Sequence, residues 1–288
     1  WINLNLFWVK NFTDFLFCEG NKIIASHLIK KLTNCEIITD SINGKRVNLQ
    51  NNEEVMKIEP VDTVIHLAGK TEKGLEWEEY FENNIIVTLN ILEYCIEKNI
   101  KKIIFVSSYV YGNPKYLPID EQHPIAPHNL YTKSKFLAEE LCKKFSEMHD
   151  LNVIVLRPFN IFAKTMNKDN LISKLITSIN TKKIVTITNR NSKRDFLYID
   201  DFIELILKIK DHDFKYEIFN IGSGISYSFD EVIEMIEKST SKKLNLEYEN
   251  DVQSYIENIT ADNSKITKML NWQPRLTFEE GLQKLLWI

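Results

Sequence analysis

The sequence predicts an α/β fold: an open, doubly wound parallel sheet with helices on both faces, followed by a smaller C-terminal α/β part. Three observations predict it. Short apolar runs alternate with helical repeats along most of the chain, as in strand–helix–strand crossover units. Those runs are nearly continuous in apolar residues, the pattern of strands covered on both faces. The 288 residues are 44% hydrophobic, enough to bury a substantial core as one large or two modest domains.

Phe15-Leu16-Phe17-Cys18 reads as a short buried strand, after which Ile23, Ile24, Leu28, Ile29 and Leu32 recur at helical spacing. Glu36-Ile37-Ile38-Thr39-Asp40 is a second strand and 62–67 a third. A long helix is expected over 77–98, a fourth strand over 102–107, a helix over 130–148 and a fifth strand over 151–156. Beyond about residue 165 the pattern loosens, with helices at 169–179, 200–210 and 228–238, strands at 183–187, 216–221 and 244–248, and two short helices to the end. Residues 1–165 and 166–288 are therefore expected to form two units with a soft boundary, since no Pro/Gly linker separates them. The smaller unit is expected to cover the carboxyl ends of the strands, where such sheets bind ligands.

A net charge of −4, with no basic stripe, gives no reason to expect nucleic acid or an acidic membrane as partner. Residues 1–17 are rich in Trp, Phe, Leu and Ile, but Lys10 and Asp14 leave the run too short and too charged to span a membrane. The run also lacks the basic start and small-residue cleavage site of a secretory signal, so 1–14 stand as an atypical extension. The first residue is Trp rather than Met, and further residues are expected upstream. The four cysteines form no C-x-x-C and have no His companion, so they read as reduced core thiols of a cytoplasmic protein and no metal site is expected.

The chemistry centres on Tyr131 and Lys135, four residues apart on a helix and so on one face. An adjacent cation favours a phenolate and makes a tyrosine a usable base. The spacing alone is common: Tyr94/Lys98 and Tyr111/Lys115 repeat it. Tyr94 ends an amphipathic helix, and Gly112 and Pro114 interrupt the other pair. Only Tyr131 combines helical spacing with a preceding strand that ends in hydroxyls. There Ser107 is expected to point into the crevice, far enough upstream for the chain to loop back and lay the tyrosine helix alongside it.

Ser107…Tyr131-x-x-x-Lys135 with Val110-Tyr111-Gly112 resembles the extended short-chain dehydrogenase/reductase family, the NAD-dependent nucleotide-sugar epimerases, dehydratases and 4-keto reductases. Further stretches match its pattern in order: 65–69, 84–90, Arg157-Pro158-Phe159-Asn160, 194–201, 219–224 and 270–274. The resemblance implies a Rossmann-like NAD-binding domain and a substrate domain for a nucleotide sugar. It makes Tyr131 the acid/base, Lys135 the residue that lowers its pKa and bonds the nicotinamide ribose, and Ser107 the residue that bonds the reacting sugar oxygen. Leu67, Ala68 and Gly69 would border the cofactor, and Ser108, Asn160 and Arg194 would contact substrate. It further implies a role in polysaccharide biosynthesis and a homodimer formed through about 78–98 and 130–148.

Two departures matter. A dinucleotide fold needs glycines between the first strand and helix. Here Glu19, Lys22 and Ala25 occupy the three glycine positions, with Gly20 able to supply the turn one residue late and Lys22 to offset the acid. Asp40 lies at about the 20-residue spacing expected of the acid that bonds an adenosine ribose, which favours NAD over NADP; it equally suits a turn before Asn43-Gly44. The dehydratases of the family carry an acidic pair after the catalytic hydroxyl, where this chain has Ser108 and Tyr109. The resemblance therefore points to 4-epimerisation or 4-keto reduction. The altered loop leaves a non-catalytic, sugar-nucleotide-binding descendant as the alternative.

Overall fold

The computed structural model describes residues 15–18, 22–32, 35–38, 47–72, 74–164, 170–189, 192–249 and 256–286. The chain runs β1 (Phe15–Cys18), α1 (Lys22–Ile29), β2 (Cys35–Ile38), α2 (Asn52–Val55), β3 (Thr63–His66), α3 (Trp77–Tyr80), a π-helical turn (Phe81–Ile86), α4 (Val87–Glu97) and β4 (Lys102–Val106). It continues as α5 (Leu130–Met148), β5 (Asn152–Pro158), β6 (Asn160–Phe162), α6 (Leu171–Thr181), β7 (Val185–Thr188), β8 (Lys193–Tyr198) and α7 (Ile199–Ile209). It ends with β9 (Tyr216–Ile221), β10 (Ser226–Ser228), α8 (Phe229–Thr240), β11 (Leu246–Glu249), α9 (Ser264–Leu270) and α10 (Phe278–Leu286). The atypical 1–14 lie outside the described residues.

The main sheet has the order β2-β1-β3-β4-β5-β9 with every pair parallel. Order reverses between β1 and β3, which opens a crevice at the strands' carboxyl ends. Side chains of successive strand residues point to opposite faces. Ile65, Ile104, Ile154 and Leu156 enter one core with α1 and α7, while Val64, Ile103, Phe105, Val153 and Val155 enter a second beneath α4 and α5. The near-continuous apolar runs are thus explained: both faces are covered.

Strand β9 comes from beyond residue 165, yet it pairs with β5 from Val153 to Pro158 as the sixth strand of the main sheet. Two small sheets lie beside it: β11-β7 from the C-terminal part, and β10-β8-β6, whose β6 comes from before residue 165. The sequence does not mark β6, β8 or β10 as strands: β6 is three residues long, Lys193-Arg194-Asp195 opens β8 before its apolar residues, and Ser226-Tyr227-Ser228 makes up β10. The expected single helix over 77–98 is two α segments with a π-helical turn between them. That wider turn carries Asn84 inward to 1% exposure.

Asp195 ties the small sheet to the main one. Its buried carboxylate accepts from the Ser223 backbone N–H at 2.6 Å and hydroxyl at 2.7 Å, and from the backbone N–H groups of Gly224 and Ala261 at 3.0 Å each. Four donors fix this acid, so nothing close to it can yield. A Cβ on Gly222 would lie 2.5 Å from Asp195 Oδ2 and 2.6 Å from Ala261 Cβ. Gly222→Ala should therefore cost about 1–3 kcal/mol, read as a fall in melting temperature of about 2–4 °C per kcal/mol; an unchanged melt would show that the staple gives way.

Candidate active site

Helix α5 starts where its cap allows. Asn129 Oδ1 accepts from Thr132 N at 2.8 Å and Thr132 Oγ1 accepts from Asn129 N at 3.3 Å, a reciprocal capping box. The first turn is thereby fixed, and with it the direction of Tyr131. Lys135 follows one turn later and Glu139 two turns later, all facing the sheet.

Lys135 is buried, 4% exposed, with its ammonium 4.3 Å from the centroid of the Phe105 ring. Burial pushes its pKa down from 10.5 to about 8, with Cys142 and Glu139 acting the other way. Beside it Gly69 has φ +142°, and a Cβ there would lie 3.8 Å from Lys135 Nζ and 2.8 Å from Asn84 Oδ1. Only glycine suits this conformation and this space. Asn84 Oδ1 accepts from Lys70 N at 2.7 Å, and its amide donates to Ser134 Oγ at 2.7 Å and to Lys70 O at 3.2 Å. The π-helical turn thus joins the segment after β3 to α5 at Ser134.

His66 sits under the same floor, fully buried. Thr88 Oγ1 donates to Asn84 O at 2.6 Å, so it accepts from His66 Nε2 at 2.9 Å, and the imidazole is neutral with a bare Nδ1. Burial, and then the charge of Lys135, hold its pKa well below the usual value. Nδ1 has no hydrogen-bond partner among the described residues.

The structure separates the two serines. Ser107 N donates to Leu156 O at 2.8 Å, so the β4–β5 ladder continues through it and its side chain follows Phe105 into the core beneath α5. There its hydroxyl donates to Glu139, and Ser107 is 4% exposed rather than turned to the crevice. Ser108, one residue past the ladder and half-buried, is the hydroxyl hydrogen-bonded to Tyr131. The expected direction of Ser107 is corrected accordingly.

Burial raises the Tyr131 pKa above that of a free phenol, the Ser108 hydrogen bond pulls it back, and Tyr80, with its ring centroid 6.2 Å away, pushes it up. The expectation that Lys135 leaves this phenol with a lowered pKa is not met, because the ammonium faces the Phe105 ring. The other two Tyr/Lys pairs are occupied elsewhere: Tyr94 OH donates to Glu59 O at 2.6 Å and Tyr111 OH to Asn220 Oδ1 at 2.6 Å.

Leu67 and Ala68, both buried, lead from β3 to Gly69. Asn160 on β6 donates to Asp195 O at 3.1 Å. Arg194 on β8 donates to Ser192 Oγ at 3.2 Å and Lys193 O at 2.9 Å, and its guanidinium lies 5.6 Å from the Phe229 ring centroid. Its charge reaches Tyr109, whose phenol burial pushes far up. Arg157 is no solvated charge: it is 3% exposed and paired with Glu139. Gly20 and Asp40 lie outside the described residues, as does the side chain of Lys22, the first residue of α1. Sequence reasoning missed Asn84, Tyr80, Glu139 and His66; for Glu139 the signal was present, since it continues the four-residue spacing from Tyr131 and Lys135.

A sequence profile of the NAD dependent epimerase/dehydratase family matches residues 20–222. The chain is 31% identical over 247 residues to the UDP-glucuronate 4-epimerase of Thermodesulfobacterium geofontis, covering 82% of this chain and 75% of that one. It is 26% identical over 291 residues to the dTDP-D-glucose 4,6-dehydratase of Mus musculus, covering 97% and 75%. Among solved structures, MoeE5 in complex with UDP-glucuronic acid and NAD superimposes with a TM-score of 0.86 at 24% identity over 95% of this chain and 97% of that one. The fold is a Rossmann fold shared with these sugar-nucleotide proteins. The chain belongs to the NAD dependent epimerase/dehydratase family.

A lysine with a midpoint near 8 when folded and 10.5 when unfolded binds fewer protons folded than unfolded between those values, so stability rises with pH across that window. Lys135→Met removes the buried charge and should melt above the wild type at pH 7. The difference should shrink as pH climbs from about 8 to 10.5. A variant that melts lower at pH 7 would show the ammonium to be net stabilising.

Proposed function

We propose that the chain oxidises and reduces C4 of a nucleotide-activated hexose with NAD, as a 4-epimerase or a 4-keto reductase. The observation that carries this reading is the placement of Ser108 beside Tyr131, near enough to pull its pKa down, with Lys135 one helical turn beyond on α5. The residues suit the cofactor at its nicotinamide end: Gly69 puts no side chain on the floor beside the Lys135 ammonium, and that ammonium can donate to a ribose hydroxyl. NAD, when bound, supplies the two-electron hydride acceptor. Tyr131 takes the proton of the C4 hydroxyl as the carbon gives up hydride, and returns it when the ketone is reduced. Ser108 holds the reacting oxygen in line with the phenol, the role first expected of Ser107. Tyr131's raised pKa suits the proton-returning half of this cycle, and ionisation needs the positive charge of Lys135.

The likeness to a UDP-glucuronate 4-epimerase supports a UDP-sugar, with Arg194 proposed for the diphosphate and Asn160 for the sugar. Dehydration is disfavoured whichever serine is counted from, because Ser108, Tyr109 and Val110 include no acid. Asp40 favours NAD over NADP. Glu19 and Lys22 at glycine positions support the second reading, a non-catalytic binding protein. Calorimetry with NAD and NADH, then assay with UDP-hexoses, separates them. We expect micromolar binding and turnover that Tyr131→Phe reduces at least about 10²-fold without loss of NAD. Absence of binding at millimolar cofactor would overturn the reading. A gain on restoring glycine at 19, 22 and 25 would then indicate a damaged enzyme, and no gain the binding protein.

No helix of the described residues is long and apolar enough to cross a membrane, and a cytoplasmic role in polysaccharide biosynthesis is proposed. Phe81 on the π-helical turn and Leu137 on α5 are exposed, 41% and 37%. They support a homodimer built on α4 and α5 of each copy. Light scattering at micromolar concentration should give twice the chain mass, and Leu137→Glu should return it to one chain. A wild-type monomer would exclude this interface.

A further inference from the structure

Glu139 and Arg157 form an ion pair at 1% and 3% exposure, where stability alone does not call for charge. A buried pair is often no more stabilising than the apolar residues that could replace it. Its connections are directional. Glu139 Oε2 accepts from Arg157 Nη2 at 2.5 Å and from Nε at 3.1 Å, and Oε1 accepts from Nε at 3.1 Å and from the Ser107 hydroxyl. Arg157 Nη1 donates to Tyr111 OH at 2.8 Å, and that hydroxyl donates to Asn220 on β9. The carboxylate thus joins the catalytic helix, the end of β4 and, through Arg157, the last strand of the sheet.

We propose that Glu139 is a positioning residue with two effects: by anchoring Ser107 it turns the next residue, Ser108, onto Tyr131, and by its charge, one turn from Lys135, it keeps that ammonium protonated. The proposal rests on the reading of Tyr131 and Lys135 given above. The first effect follows from the pleat. Ser107 and Ser108 must face opposite ways, so fixing one hydroxyl beneath α5 directs the other to the crevice.

The second effect follows from what surrounds the ammonium. Lys135 has Glu139 and Cys142 near it on its own helix, His66 from β3, the Phe105 ring from β4, and Gly69 and Asn84 from the segments after β3. His66 is neutral. Burial, and then Glu139, push the Cys142 thiol so far up that it carries no charge at neutral pH. Glu139 is the anion among these groups, and it works against the desolvation that lowers Lys135.

The test needs neither substrate nor cofactor. Lysine side chains are labelled with ¹³C at Cε, and the Lys135 resonance, identified by its loss in Lys135→Met, is titrated by NMR. The Tyr131 phenol is titrated by difference absorbance as the signal lost in Tyr131→Phe. Glu139→Gln should reduce the proton affinity of Lys135 about tenfold. Since that variant strands Arg157, the neutral pair Glu139→Gln/Arg157→Gln is measured beside it and should show the same fall. Ser107→Ala should leave Lys135 unmoved and raise the Tyr131 midpoint as far as Ser108→Ala does, because the Ser108 bond is what pulls it down. An unmoved Lys135 in both Glu139 variants overturns the charge effect, and an unmoved Tyr131 in Ser107→Ala overturns the aiming effect. Inactivity of the wild type toward sugar nucleotides would count against the proposed function and leave both titrations readable.

Discussion

An ammonium buried in an α/β sheet is costly, and the site is arranged around that cost. Helix α5 leaves Lys135 facing the sheet because its cap fixes the first turn and a helix returns to the same face every fourth residue. Everything near the charge then has to accept it. Phe105 offers the face of its ring, Gly69 has no side chain to obstruct it, His66 stays neutral and Glu139 supplies an opposite charge. Even so the midpoint falls to about 8, which places Lys135 close to neutrality and makes its charge responsive to its neighbours.

Much of this was legible from the sequence, and the parts that were not share a cause. The strands near β3, β4 and β5 stood out because double coverage leaves no polar face, and α5 stood out because Tyr131 and Lys135 fall at helical spacing after a strand that ends in hydroxyls. The choice among three Tyr/Lys pairs also followed from helical context, and the hydrogen bonds of Tyr94 and Tyr111 agree with it. The choice between Ser107 and Ser108 did not follow. Two adjacent serines face opposite sides, and which side is which depends on where the ladder ends, a fact about the partner strand β5 and not about the serines themselves.

The other misses are of the same kind. A π-helical turn has no composition of its own, so Asn84 read as an ordinary helix residue. Strands β6 and β10 are three residues each, and in β8 the apolar Phe196-Leu197-Tyr198 follow a charged start, so the pairing that makes them strands is set by partners distant in sequence. The burial of Arg157 was not legible because nothing in the sequence shows that Glu139, 18 positions earlier, lies beneath it. In each case the missing information was the identity of a long-range neighbour.

The position of β9 shows why the C-terminal part cannot be treated as a lid attached to a finished sheet. It pairs with β5 along six residues, and Asn220 within it receives the Tyr111 hydroxyl at 2.6 Å and donates to Ile119 O at 3.0 Å. Tyr111 in turn accepts from Arg157, which holds Glu139. A chain of hydrogen bonds therefore runs from the C-terminal strand through the core to the helix that carries Tyr131 and Lys135. Movement of β9 would be felt at Glu139 on α5 through named donors and acceptors. The segment that carries Arg194 is pinned to the turn after β9 by the Asp195 carboxylate. Helix α5 and the arginine-bearing strand are thus both referenced to β9, and the proposed sugar and proton chemistry share that one frame.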